Sequence, residues 1–282
     1  MAAPPILRTI AELRSTVAGW RRAGEAVGLV PTMGALHDGH LSLVRRARAQ
    51  CGRAVVSIFV NPTQFGPNED FQRYPRDLEG DAAKLATVGA DAVFAPQVAE
   101  MYPEGAVTTV TVSGLTEGLC GPFRPGHFQG VATIVTKLLL QCLPDAGFFG
   151  EKDYQQLQVI RQLTRDLDIP VRIEGVATYR EADGLAMSSR NAYLKPEERT
   201  LAPLLYRVLT SVAAEMKDGG SATSATARGK QELLQAGFAR VDYLDAVDAT
   251  TLKLVERAET PARIAAAAFL GQTRLIDNVP VG

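Results

Sequence analysis

Three histidines occur in the 282 residues, and two of them stand three apart in Pro31-Thr32-Met33-Gly34-Ala35-Leu36-His37-Asp38-Gly39-His40-Leu41. An apolar run over 26–30 enters this stretch and an amphipathic run over 41–50 leaves it, the order of buried strand, glycine loop and helix. Gly34 and Gly39 let the backbone turn sharply and approach a ligand closely. Asp38 is placed to cap the helix, whose first N–H groups make an anion site. At this spacing His37 and His40 share a helix face, so two imidazoles can stand over that site. The chemistry that suits them is a phosphate whose negative charge is growing. A zinc site and a chance surface pair are the alternatives. Zinc needs third and fourth ligands, and Cys51 and Cys120 show no ligand spacing relative to the pair.

Other polar residues gather in glycine- and proline-containing loops: Asn61, Gln64, Arg124, His127, Lys152, Asp153, Gln156, Ser188, Ser189 and Arg190. No member forms a nucleophile with a base beside it, and the serines lie outside a nucleophile elbow. The set is rich in cations and neutral donors, which is what phosphoryl or adenylyl transfer asks of a protein. Lys152 and Arg190 are suited to phosphates, with Ser188 and Ser189 adding donors. Gln64 and Gln156 offer amide donors and acceptors to a small hydroxylated acid. Taken singly, each of these residues reads as an ordinary surface group; their position just past strand ends is what groups them.

The elements that must position them alternate. Helical spacing covers 9–22 and ends at Gly24; 54–60 is a continuous apolar, β-branched strand; 77–88 is helical; 92–95 is a short buried run. The stretch 107–112 alternates like a half-solvated strand, and 115–130 reads as a mobile or functional loop. A helical stripe over 131–138, a strand over 146–149, a helix over 154–167 and a strand over 171–177 follow. This predicts an α/β fold, a doubly wound parallel sheet with right-handed crossovers, whose ligands bind beyond the carboxyl ends of the strands. The loop of His37 and the 61–66 segment both follow strands and should share one crevice. No GxGxxG follows a strand and no Walker-type loop is present. Beyond residue 176 the pattern changes to a long helix over 196–217, a second over 221–237, and strands over 241–246, 262–270 and 275–279. That predicts a smaller C-terminal α+β domain over 177–282, after a first domain over 1–176.

With 46% hydrophobic and 22% charged residues the composition is that of a soluble globular protein, and a net charge of −1 argues against a nucleic-acid-gripping function. Arg45, Arg46 and Arg48 read as a solvated helix face. Three scattered cysteines make no disulfide framework. They suit a cytoplasmic location. Neither a secretory signal nor a membrane span is expected.

Five segments together carry a family resemblance: Met33-Gly34-Ala35-Leu36-His37-Asp38-Gly39-His40, Asn61-Pro62-Thr63-Gln64-Phe65, Arg124-Pro125-Gly126-His127-Phe128, Gly150-Glu151-Lys152-Asp153-Tyr154-Gln155-Gln156 and Met187-Ser188-Ser189-Arg190-Asn191. In this order they closely resemble the pantothenate synthetase (pantoate–β-alanine ligase) family of the nucleotidylyltransferase superfamily, over almost the whole chain and most thinly after about residue 200. The resemblance implies a Rossmann-like ATP- and pantoate-binding domain and a C-terminal lid. It implies that pantoate attacks the α-phosphate of Mg-ATP to give pantoyl adenylate, which the amine of β-alanine then opens to pantothenate and AMP. By position, Met33, Gly34, Ala35, Leu36, His37, Asp38, Gly39 and His40 would line the ATP site, with His40 the proton donor and His37 its partner. Gly150, Glu151, Lys152, Asp153, Met187, Ser188, Ser189 and Arg190 would also bind the nucleotide, Lys152 and Arg190 reaching its phosphates in a catalytic role. Gln64 and Gln156 would contact pantoate, Gln64 also β-alanine, and Asn61 and Arg124 would support them. Tyr179 stands where the family usually has a small aliphatic residue whose backbone meets adenine. ATP and Mg²⁺ are the implied cofactors, with the metal ligands unassigned, and a homodimer is the implied assembly.

Overall fold

The computed structural model describes residues 3–67 and 69–282. Six parallel strands form one sheet in the order β1-β4-β3-β2-β5-β6, from β1 (Ile6–Leu7), β2 (Val27–Thr32), β3 (Arg53–Ile58), β4 (Ala92–Phe94), β5 (Ala146–Gly150) and β6 (Arg172–Val176). From β2 the chain moves through β3 to β4 on one side, then returns to place β5 and β6 on the other. The strand order therefore reverses between β2 and β5, where open α/β sheets leave a crevice for ligands. Helices α2 (Asp38–Gln50) and α3 (Leu78–Thr87) pack with one another, and α1 (Ile10–Arg22) packs with α5 (His127–Cys142). Leu41, Leu43, Val44 and Ala47 of α2 join Val30, Val56, Val93 and Phe148 of the strands in one continuous apolar core. Arg45, Arg46 and Arg48 lie on its exposed side. Strands covered on both faces read as unbroken apolar runs, which is why 54–60 was legible.

The chain divides into two compact units. The first comprises residues up to Val112, Arg124–Glu151 and Val159–Ala177; the second comprises Ser113–Phe123, Lys152–Gln158 and Thr178–Gly282. In the second unit an antiparallel sheet, β7 (Arg240–Asp248), β8 (Ala262–Leu270) and β9 (Thr273–Val281), packs on α8 (Leu204–Lys217) and α9 (Ala222–Gln235). Leu205, Val208, Leu209 and Val212 of α8 meet Leu244, Ile264, Ala266 and Ala268 there. The remaining helices are α4 (Val98–Met101), α6 (Tyr154–Asp166) and α7 (Pro196–Leu201).

Four local expectations are corrected. The helix expected over 196–217 is two, α7 and α8, broken at Ala202 and Pro203, because proline has no N–H for the ladder and its ring crowds the preceding turn. The alternating stretch 107–112 pairs with no strand among the described residues; Val110 N–H instead donates to Thr133 Oγ1 of α5 at 2.9 Å, and Thr111 Oγ1 accepts from Gln129 Nε2 at 3.0 Å. Alternation reports one-sided exposure, not a hydrogen-bonding neighbour. His37, with φ −136° and ψ 174°, is the N-cap of α2, and Asp38 is its first helical residue. Gly39 is accordingly helical, whereas Gly34 has φ +87° and makes the turn. Helix α5 begins at His127, inside the stretch read as a loop.

Candidate active site

The loop after β2 is fastened from three sides. Thr32 Oγ1 accepts the Gly34 N–H at 3.2 Å and donates to Ser57 O at 2.7 Å. Beneath it, Asp81 Oδ1 of α3 accepts the Leu36 N–H at 2.8 Å, and Lys84 Nζ donates to Leu36 O at 2.8 Å. Asp81 is 1% exposed, and burial pushes its carboxyl above the usual range against the pull of the Leu36 amide. Gly34 carries the left-handed turn, and a Cβ there would stand 3.1 Å from both Asp81 and Ile58.

This turn delivers the two histidines to the N-terminus of α2. Their ring centroids lie 4.0 Å apart with planes at 42°. The His37 backbone N–H donates to His40 Nδ1 at 3.3 Å. An amide N–H only donates, so Nδ1 is the acceptor and neutral His40 carries its hydrogen on Nε2. A ring held this way presents a hydrogen-bond donor on its outer nitrogen, above N–H groups that no helical carbonyl takes.

Beside it, the single helical turn Pro62–Gln64 follows β3. Gln64 Nε2 lies 3.1 Å from Met33 Sδ, so the two strand-end loops do meet in one place. Asn61, 1% exposed, donates from Nδ2 to Gln64 Oε1 at 3.0 Å and to Gly130 O at 3.2 Å. Arg124 is committed to Glu69 through Nε–Oε1 at 2.8 Å and Nη2–Oε2 at 2.6 Å, with Nη1 2.9 Å from His127 Nε2. His127 Nδ1 lies 2.9 Å from Gln64 O. Arg124 and His127 therefore brace the Gln64 backbone. Burial raises the Glu69 carboxyl, but the Arg124 guanidinium more than offsets it and holds the group below the usual glutamate range. Met33 and Gly34 also line a cavity of about 300 Å³ whose walls include Phe59, Phe71 and Asp81, room on the scale of a small ligand.

The first unit also holds Gly150 and Glu151, at the end of β5 and on the far side of the strand-order reversal from β3. The rest of the expected set lies in the second unit. Lys152 Nζ is 3.8 Å from Asp153 Oδ2, and Lys152 O accepts from Asn278 Nδ2 at 3.0 Å. Gln156 sits on the first turn of α6. Ser188 caps the single turn Ser189–Tyr193, its Oγ accepting the Arg190 N–H at 3.3 Å. Tyr179 is 42% exposed and engages through its backbone, with O accepting the Met187 N–H at 3.0 Å. The segment is pinned by Arg180, whose Nη1 and Nη2 reach Asp277 Oδ2 and Oδ1 at 2.6 and 2.9 Å. Burial raises the Asp277 carboxyl and Arg180 opposes it.

Sequence reasoning did not single out Glu69, Asp81, Tyr102, Arg180 or Asp277. Asp81 had a legible signal, an acid on the same helix face as Ala82 and Leu85. The others are joined by long-range contacts that leave no local pattern.

A profile of the family described as pantoate-beta-alanine ligase matches residues 5–280. The chain belongs to this family. Pantoate-beta-alanine ligase relatives named pantothenate synthetase include one from Paramagnetospirillum magneticum, 62% identical over 98% of this chain and 97% of the relative. Another, from Rhodospirillum rubrum, is 57% identical over the full length of both. The crystal structure of pantothenate synthetase from Thermus thermophilus matches with a TM-score of 0.92 at 51% identity, over 98% of this chain and 99% of that one. The pantoate-beta-alanine ligase of Francisella tularensis, solved in complex with β,γ-ATP and β-alanine, matches at 0.84 and 35% identity, over 99% and 98%. The doubly wound sheet and the small antiparallel sheet are thus those of pantoate-beta-alanine ligases.

Proposed function

We propose that the chain condenses (R)-pantoate with β-alanine at the expense of ATP, through a pantoyl adenylate. The observation that carries this reading is the approach of the Gln64 amide to Met33, which sets a small-acid-binding group against the loop bearing the histidine pair. In the first step a pantoate carboxylate oxygen forms a bond to the α-phosphorus while the bond to pyrophosphate breaks. His40 Nε2–H and the first N–H groups of α2 meet the negative charge that develops on the phosphate oxygens. In the second step the β-alanine nitrogen bonds to the acyl carbon, AMP leaves with the ester oxygen, and the nitrogen's proton passes to solvent. Magnesium enters as part of the Mg-ATP substrate, a role that suits a metal held mainly by phosphates and water.

The site assignments belong to the same proposal. His37 and His40 act in the first unit beside Met33, Gly34, Ala35, Leu36, Asp38 and Gly39, with Gly150 and Glu151 toward the nucleotide. Lys152, Asp153, Met187, Ser188, Ser189 and Arg190 supply the second unit's nucleotide contacts, and Tyr179 contributes its backbone. Gln64 and Gln156 bind pantoate, supported by Asn61 and Arg124. Residues 1–176 form the ATP- and pantoate-binding part, and residues 177–282 act as a lid, since an acyl adenylate survives only where water is excluded. A cytoplasmic homodimer completes the reading. The family resemblance supports the homodimer, and three cysteines that are all free thiols suit the cytoplasm.

The test incubates the protein with Mg-ATP and pantoate, with and without β-alanine. AMP is expected only when both acids are present. Pyrophosphate without AMP in the full mixture would mark an adenylyltransferase that stops at transfer, and ATP binding without pyrophosphate would mark a regulatory nucleotide-binding module.

A further inference from the structure

Amide side chains at a binding site carry a polarity that the surrounding structure must set. For Gln64 the chain of constraints begins at two backbone groups. The Thr63 N–H, a donor, lies 3.4 Å from Asn61 Oδ1, and the Gly130 carbonyl, an acceptor, lies 3.2 Å from Asn61 Nδ2. These fix which end of Asn61 is oxygen. Asn61 Nδ2 then donates to Gln64, so the Gln64 atom facing it is Oε1, and Gln64 Nε2 faces Met33. Gln64 therefore shows hydrogen-bond donors to a ligand beside Met33. That polarity selects an oxygen with lone pairs, a carboxylate or hydroxyl, over an ammonium.

Tyr102 closes this relay. Its hydroxyl donates to Asn61 Oδ1 at 2.8 Å and lies 3.3 Å from Thr63 Oγ1, which itself donates to Asn61 Oδ1 at 3.0 Å. Burial raises the phenol, against the hydrogen bonds of Thr63 and Asn61, so the hydroxyl remains a donor. Its ring is set by Phe59, with centroids 6.3 Å apart, and by Lys137, whose ammonium is 5.9 Å above it. Tyr102 is the C-cap of α4, with its N–H on Val98 O at 2.7 Å. We infer that Tyr102 is a positioning residue for recognition of the hydroxy acid: through Asn61 it holds Gln64 with its amide hydrogens turned to the substrate's oxygen atoms.

This inference rests on the assignment of Gln64 to pantoate, and the experiment separates the two. Steady-state kinetics on the full chain compare Tyr102→Phe, Thr63→Val and Gln64→Ala with the wild type. Gln64→Ala tests the assignment. Tyr102→Phe removes one neutral hydrogen bond from the relay, so KM for pantoate should rise about three- to ten-fold, with kcat and KM for ATP within about two-fold. Thr63→Val, at an exposed position, removes the other hydroxyl from the same oxygen and should shift the same constant in the same direction. It carries the test should Tyr102→Phe not fold. A raised KM for pantoate in Gln64→Ala with no change in either hydroxyl variant would overturn the role of Tyr102 while leaving the assignment standing. An equal rise in KM for ATP, or a lowered kcat together with a lowered thermal midpoint, would reduce Tyr102 to a structural residue. An unchanged KM for pantoate in Gln64→Ala would overturn both.

Discussion

Replacing Gly130 with alanine should reverse the usual sign of a helical glycine-to-alanine change. Gly130 is buried within α5, where alanine is intrinsically better than glycine by about 1 kcal/mol. The methyl group would overlap the Thr63 carbonyl and fall 2.7 Å from Gln64 N, both backbone atoms of the turn that carries Gln64. Ordinary contact requires that turn and α5 to separate by roughly 1 Å. Overpacking against backbone belongs at the upper end of its range, about 3 kcal/mol. Separation also stretches the Asn61 bond to Gly130 O, worth about 1 kcal/mol. With the propensity gain subtracted, the net loss is about 3 kcal/mol, a fall in thermal midpoint of about 6–12 °C for a domain of this size. A displaced Gln64 should lower kcat/KM for pantoate by about 100-fold. Calorimetry and pyrophosphate release measure the two effects. Gly19→Ala is the control: apart from the backbone of its own helix and its chain neighbours, no described atom lies within 4 Å of its Cβ, and it should stabilise by about 0.5–1 kcal/mol. A Gly130→Ala protein as stable as Gly19→Ala, with pantoate kinetics unchanged, would refute the claim that α5 sets the position of Gln64.

His40→Ala should lower adenylate formation by about 100-fold or more while the folded state is retained, read as pyrophosphate release with pantoate and Mg-ATP; wild-type release would take His40 out of the reaction. Glu69 is held below its ordinary value of 4.5, so its pairing with Arg124 stabilises fully above that pH and loses its effect as pH falls through the lower folded value. The stability difference between wild type and Glu69→Gln should therefore be constant at neutral pH and vanish in acid, and a difference that grew on acidification would contradict the pairing. Arg180→Met leaves the 4%-exposed Asp277 without its guanidinium and should cost about 3–5 kcal/mol in urea unfolding, where a loss below about 1 kcal/mol would show the pair to be dispensable.

The glycine–histidine loop was legible because everything that makes it lies close together in sequence: a short apolar run, a glycine where φ turns positive, and a helix start. The parallel sheet followed from similar short-range signals, but β1 did not, since two residues are too few to show a period. The break at Pro203 was missed, because the apolar stripe on either side of it hid the proline's effect. Site polarity was harder. Asn61 and Gln64 are neighbours in sequence, whereas Tyr102 joins them across 41 residues, and a tyrosine at the end of a four-residue helix carries no periodic sign of its hydroxyl's destination. Arg124 read as one of several loop cations in a supporting role; its bidentate pairing with Glu69 across 55 residues is a tertiary fact.

Because a peptide group dictates where the hydrogen sits on ring 40, that placement does not depend on which side chain occupies position 37. Drift at position 37 can abolish whatever the first imidazole does and still leave the second with its outward hydrogen. Proline is the exception, since it brings no amide hydrogen. His37→Pro would remove the amide hydrogen that ring 40 accepts, which distinguishes it from every other replacement at that position.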